Sequence, residues 1–533
     1  MSRYPHTNLL IGRTRTVVIS GPHLHILDTA TGDILHSSTT LEGPDKDGLL
    51  KSGPVRCTAL SNSQNVFVTA GDDKKLKVWD IEGLKLLSSR ELPKKPTCVQ
   101  FTKNDDILVA DKFGDVFRYT LHPSDEPSTS QNPKRDALTS HENPSGGQLV
   151  LGHASLLTAA LLTPDQQFIV TADRDEHIRV SWYPEGYTIE SYCLGHQKFV
   201  SAIHIPSFSP GTLVSGGGDP VLKVWDWMTG SLQRNVDVFT SVQPFMKIRA
   251  PRRRKNADNG GDEEDKGKRS RRKNKGKGKQ PPSAGQVEGE SEPAPSAEGS
   301  NEADATELVF VVHKIESLAS EEGHYIIFSV VGATAIFIYS NAASDITPNI
   351  QPFDFGRPII DFTLAEDGFI WALLDAEVVE ADDTSASGNA IARFVRVLQW
   401  SSSQFIEKDL DTLPLLSALN STCVCPATAA DLKTLDLYSD LSSLPKNTDG
   451  DADATGREGS EMNVNTPEDS SALGDASEKT LKKRELGRLK HKQALQRLQQ
   501  GDGDEKVGEP EPENKRVRAD EGLSESNQLA STS

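Results

Sequence analysis

The chain reads as an all-β protein, a seven-bladed β-propeller with disordered insertions and a disordered C-terminal tail. Three observations predict this. A Gly-His pair recurs with His153 and His196 43 residues apart, inside the roughly 40–45-residue period of propeller blades. Short β-branched and aromatic runs bounded by turn residues recur from residue 8 to 234 and again from 307. The length of 533 residues exceeds one average domain, and a ring of seven blades absorbs roughly 300 of them as a single unit.

Residues 8–38 form a first blade by pattern alone: HLHILDTATGDIL alternates apolar residues around a Thr-Gly turn. Residues 54–89 form the second, where VTAGDDKKLKVWD places Asp73 in a turn and Trp79 at the close of the next strand. The third, 94–121, contains ILVADKFGDVFRY, in which Lys112 and Asp115 flank a Phe-Gly turn and no closing Trp follows. Residues 122–148, rich in Pro, Ser, Asn and Gly, are expected to be a disordered loop between blades three and four. The fourth and fifth blades occupy 152–190 and 195–234, within 149–250. In the fifth, VSGGGDPVLKVWDW repeats the spacing of the second with Asp219 and Trp225; in the fourth, aligning Asp175 with Asp219 puts Ser181 in the Trp position.

In such a blade a buried His, a turn Asp and a strand Trp hydrogen-bond across the strands so that no buried polar group is left unpaired. His153, His196, Asp73, Asp175, Asp219, Trp79 and Trp225 are therefore read as structural. This His-Asp-Trp pattern is that of WD-repeat propellers. Residues 307–340 and 353–400, within 306–438, suit blades six and seven by their β-branched and aromatic runs, with Trp371 and Trp400 packing. Ring closure is expected to pair the N-terminal residues with the last blade.

The turns of blades three and four carry a second signal. The charged run Asp173, Arg174, Asp175, Glu176, with Arg179 on the next strand, is expected to lie on the same rim as Lys112. One reading is a rim kept soluble by charges paired with one another. The order ADKFGDV, LGHASLL, TADRDEHIRVSWYP, IESYCLGHQKFVS resembles the non-catalytic WD-repeat subunit of the tRNA (guanine-N7)-methyltransferase complex, specifically over residues 105–230. The resemblance implies a propeller that binds, stabilises and activates a separate catalytic subunit, forming a heterodimer that methylates a guanine of the tRNA variable loop. S-adenosylmethionine would be bound by that partner and no cofactor by this chain. The family's partner-facing charges map by position onto Lys112, Glu176 and Arg179, and Arg174 stands in the same turn.

Composition agrees with a scaffold acting inside the cell. Five cysteines without paired metal-ligand spacing argue against a zinc site or a disulfide framework. No run of about 18 apolar residues is present for a membrane span, and the first residues lack a signal-peptide core. The net charge of −19 argues against bulk electrostatic binding of nucleic acid. Its distribution is uneven, however. Residues 251–305, a disordered insert, hold PRRRK and KGKRSRRKNKGKGK, read as a bipartite nuclear-localisation signal or as an arm on tRNA phosphates. The tail, 439–533, carries a basic helix-forming segment at 477–500. That segment is a solvated charged helix, a second nuclear signal, or a tRNA-contacting tail. The expected location is the nucleus, with the cytoplasm second.

No glycine-rich donor loop, zinc-protease motif or nucleophile elbow occurs, so the sequence predicts no catalytic residue and no metal site in this chain. The rival reading is a general WD-repeat adaptor such as a ubiquitin-ligase substrate receptor. Many of these carry an Arg two residues after Trp-Asp; Glu82 and Met228 stand in those places here.

Overall fold

The computed structural model describes residues 2–40, 51–122, 143, 145–251, 306–342, 348–375, 377 and 393–446. These form seven four-stranded antiparallel sheets, each with its strands side by side in chain order. The protein is a seven-bladed β-propeller. Its blades span 8–37, 55–91, 96–152, 157–193, 200–237, 312–354 and 359–407. The first strands of neighbouring blades meet around the central axis. The second strands, such as Val66–Gly71 and Phe168–Asp173, are buried along their whole length because adjoining blades cover both faces.

The outer strands extend several blades beyond the sequence reading. Gln148–Gly152 pairs with Asp115–Tyr119, so the loop expected between blades three and four is an insertion within blade three. Gln351–Asp354 and Gln404–Glu407 complete blades six and seven. Such strands are half exposed and partly polar, which removes the apolar run that marks a buried strand. Ala250–Pro251 pairs with Thr306–Glu307, bringing the two ends of the charged insert together. The insert itself, its basic clusters and the basic segment at 477–500 lie outside the described residues.

Ring closure differs from the expectation. Blade seven draws all four strands from its own segment, so no N-terminal strand enters it. Blades one and seven instead meet through side chains: Leu9, Val18 and Leu27 pack with Trp371, Phe394 and Val397, and Thr363 Oγ1 donates to Leu9 O at 3.0 Å. Residues 410–438, expected in blade seven, are largely helical, and 440–443, expected in the disordered tail, form a further turn of helix. These are α1 (Pro414–Ser421), α2 (Ala429–Leu435) and α3 (Asp440–Ser443). Pro414 opens α1, where a missing N–H costs nothing, and Leu415, Leu416 and Leu419 bury against blades one and seven. Thr428 and Asp431 open α2 with a reciprocal capping box.

The N-terminal residues are tied to this C-terminal segment. Tyr4 N donates to Cys425 O and Ala427 N to Ser2 O, each at 2.9 Å. His6 lies fully buried between Ser20 Oγ (2.7 Å) and Leu419 O (2.9 Å). A neutral ring satisfies both contacts, donating to the carbonyl and accepting from the hydroxyl. His25 Nε2 sits 3.2 Å from Cys425 Sγ.

Beyond α2 the chain crosses one face of the propeller. Arg56 donates to the carbonyls of Leu435 and Thr434, and Tyr438 donates to Asp375 Oδ2 at 2.7 Å. Leu441 and Leu444 then bury against Phe199, Val311 and Val331 of blades five and six. This strap encloses a cleft of about 490 Å³ with Asp375, Arg249 and Pro5. It ends at blade four.

The buried histidines make the closure acid-sensitive. Burial lowers the pKa of His6, and burial together with His6 and His23 lowers that of His25 to about 4. A folded-state value below the unfolded one, roughly 6.5, means that the unfolded chain takes up protons first. Stability is then complete above about pH 6.5 and declines as pH falls toward 4. Thermal melts are expected to show Tm falling between pH 7 and 5. His25 alone contributes on the order of 2 kcal/mol to that loss by pH 5, so His25→Asn should flatten the pH dependence of Tm; an equally steep profile in the variant contradicts the assignment.

Candidate partner-binding rim

Blade five contains the complete buried network. His196 Nδ1 donates to Asp219 Oδ2 at 2.6 Å, its Nε2 accepts from Ser215 Oγ at 2.7 Å, and Ser215 Oγ accepts from Trp225 Nε1 at 2.8 Å. Burial works to raise the Asp219 pKa, but His196, the Gln197 amide and Lys223 together outweigh it and hold the carboxyl below the usual range. Both ring nitrogens of His196 are thus committed to the fold. Blade two keeps Trp79 Nε1 donating to Thr69 Oγ1 at 2.9 Å, while Lys77 takes the place of the imidazole, 2.7 Å from Asp73 Oδ2.

Blade four corrects the alignment. The partner of His153 is Asp173 and not Asp175: Nδ1 lies 3.1 Å from Asp173 Oδ2, and Nε2 lies 2.8 Å from Thr171 Oγ1. The other oxygen of Asp173 accepts the turn amides of Asp175 (2.9 Å) and His177 (3.1 Å). In blade five the matching strand-end position is Gly217, so the carboxylate must come from two residues later. In blade four the strand end carries its own, which reaches the imidazole and displaces Asp175 outward. Ser181 in the Trp position is fully buried, its hydroxyl unpartnered among the described residues.

The same construction recurs next door. In blade three Asp111 Oδ1 accepts the amides of Phe113 (2.8 Å) and Asp115 (3.2 Å). Each turn then passes through the left-handed region three residues on, at Gly114 (φ 105°) and Glu176 (φ 74°). Glu176 thus holds a conformation that favours glycine and costs other residues roughly 1–2 kcal/mol. The shared scheme places Lys112 opposite Arg174 and Phe113 opposite Asp175 on adjacent blades.

The two turns are joined across the interblade groove. His153 N donates to Gly114 O at 2.8 Å, and Arg179 Nη1 donates to Gly152 O at 3.1 Å. Lys112 is exposed, with no side-chain partner among the described residues, and Phe113 beside it is 65% exposed. Arg174 is half buried, its Nε without a hydrogen-bond partner. Burial pulls Arg179 below the usual arginine range, opposed by neighbouring Tyr192 and Asp173. Leu194 adds a second exposed apolar side chain. Glu176 does not pair with Lys112. Its Oε1 lies 2.7 Å from Lys446 Nζ, the end of the strap, and Asp175 Oδ1 lies 3.4 Å from the same nitrogen.

Sequence reasoning missed Asp111, the role of Asp173, Phe113 and Lys446. The first three were signalled by Ala-Asp followed by a basic residue in ADKF and ADRD; Lys446 had no local signal. Among the described residues no group of three or more His, Cys, Asp or Glu is placed to hold a metal ion, and no helix is long and apolar enough to cross a membrane.

A family model, the tRNA methyltransferase TRM82 WD40 domain, matches residues 51–146 and 137–390. The chain belongs to this family. A Vanderwaltozyma polyspora TRM82 protein is 33% identical over 217 residues, covering 38% of this chain and 45% of the relative. The Dictyostelium discoideum relative wdr4 is 36% identical over 201 residues (37% and 42%), and the Homo sapiens relative WDR4 34% over 203 (38% and 44%). All three bear the name tRNA (guanine-N(7)-)-methyltransferase non-catalytic subunit. The matches span less than half the length of each relative. In this TRM82-family propeller they give no residue-level assignment of the rim.

Asp173→Ala leaves His153 and two turn amides without an acceptor and should cost about 2–4 kcal/mol, whereas Asp175→Ala should stay within about 0.5 kcal/mol. Glu176→Gly should be neutral or stabilising by about 1 kcal/mol. Gly114→Ala, whose Cβ would stand 2.6 Å from the carbonyls of His153 and Ser155, should destabilise. Denaturant unfolding of the four variants checks the turn geometry; equal losses for Asp173→Ala and Asp175→Ala would refute it.

Proposed function

We propose that this chain is the non-catalytic subunit of a tRNA (guanine-N7)-methyltransferase, and that the rim of blades three and four docks the catalytic subunit. The observation that carries this reading is the pair of matched turns headed by Asp111 and Asp173. They present Lys112, Arg174, Glu176 and Arg179 beside exposed Phe113 and Leu194. Charges around a few apolar anchors are a combination suited to a specific protein interface. The family match supplies the enzyme class.

In this reading Lys112, Arg174 and Arg179 meet carboxylates of the partner and Glu176 meets a cation. Such pairs set orientation and specificity more than raw affinity. Holding the catalytic subunit in its active conformation raises the competent fraction without adding a catalytic group. S-adenosylmethionine binds to the partner, and the pair forms a heterodimer. Transfer RNA is contacted indirectly, through the catalytic subunit, or through the basic segments of this chain.

Co-expression with the catalytic subunit tests the assignment. Co-purification and N7-methylation of tRNA that requires both chains are expected. A partner fully active alone, with no co-purification, would return the chain to the general adaptors. Glu176→Lys should lower complex yield and methylation roughly tenfold or more, since it sets like charges against each other; intact yield and activity would show that the rim assignment is wrong.

A further inference from the structure

The strap supplies a cation to Glu176, the carboxylate that the docking model assigns to a cation of the partner, and to its neighbour Asp175. Lys446 Nζ is within reach of both Glu176 and Asp175, 270 residues away in sequence from the first. All three side chains are partly exposed, so the pair is of the weak, solvent-screened kind. The strap does not depend on it: Leu441 and Leu444 are buried, and Tyr438 is bonded to Asp375. An ion pair that the strap does not need, at an acidic turn of the rim, is positioned to be exchanged rather than to fasten.

We infer that Lys446 is a cis placeholder, occupying Asp175 and Glu176 until a basic side chain of the docking partner takes its place. This rests on the proposed docking of the catalytic subunit at blades three and four. The exchange has a definite electrostatic sense. In the free protein Lys446 screens two adjacent carboxylates on a turn already held in the left-handed conformation. On docking, one cation leaves as another arrives, so the gain from Glu176 is reduced by the contact given up. The strap thereby lowers the affinity of every partner that takes this place by one common factor, and a partner whose cation gains less than that contact has no drive to displace Lys446. Burial works against the charge on Lys446, yet the two carboxylates raise its pKa above the ordinary lysine value, so it stays protonated throughout the physiological range.

The test is the equilibrium affinity of the purified full-length chain for the purified catalytic subunit, measured by calorimetry at low and at high salt. Three variants accompany the wild type: Lys446→Ala, Glu176→Lys, and the charge swap Lys446→Glu with Glu176→Lys. Lys446→Ala is expected to bind about two- to fivefold more tightly at low salt, the equivalent of one exposed ion pair, with the difference vanishing at high salt. The swap rebuilds the cis pair but offers the wrong sign to the partner, so it should bind as poorly as Glu176→Lys alone. Unchanged or weaker binding by Lys446→Ala, or restored binding in the swap, overturns the placeholder while leaving the docking model standing. No binding by the wild type overturns the docking model and the placeholder together. Equal Tm values for wild type and Lys446→Ala would verify that the fold is not what changed.

Discussion

The structure depends on how its ring is closed. Each blade is built from consecutive strands, so no strand from one chain end is shared with a blade from the other. Hydrogen bonding alone therefore does not hold blade seven to blade one. Packing does: each buried leucine or phenylalanine at that junction is worth about 1.5–3 kcal/mol, against about 1 kcal/mol for a net hydrogen bond. The helix Pro414–Ser421 adds three leucines to the seam, and His6 and Tyr4 secure the N-terminal residues to the same segment. Closure by a C-terminal segment brings a consequence. Having sealed the seam, the chain continues across the propeller face and brings Lys446 to the rim of blade four.

That rim is shaped by a competition between carboxylates. In blade five, where the second strand ends in Gly217, the turn aspartate Asp219 folds inward to serve the histidine. Asp173 serves His153 from the strand end and frees Asp175 and Glu176 to face solvent. Asp111 organises blade three in the same way without any histidine partner. In blades three and four one buried aspartate thus decides which charges the turn displays. The display is rigid, because the carboxylate that heads each turn also accepts two of its amides.

The legible part of this fold was the part written in local pattern. Trp79 and Trp225 mark blades two and five because an indole closing a β-run has few alternatives, while alternation located blade one and β-branched and aromatic runs located blades six and seven. Outer strands such as Gln404–Glu407 escaped because their solvent side needs no apolar residue. The aspartate assignment in blade four failed for a different reason. Asp175 has the right linear spacing, and only the three-dimensional contest with Asp173 displaces it. Lys112, Arg174, Glu176 and Arg179 were visible as a charged group, but their relation to Lys446 joins segments that no short-range signal connects. The strap falls mostly in the segment expected to be a disordered tail, since its buried Leu441 and Leu444 occur in a single short turn of helix without a long apolar period.

Amide hydrogen exchange of the full-length chain, with and without the catalytic subunit, tests the central claim most directly. The account predicts slower exchange on complex formation at 112–114 and 174–179, with faster exchange at 440–446 as Lys446 is released. Protection confined to other blades, with those three segments unchanged, would contradict it.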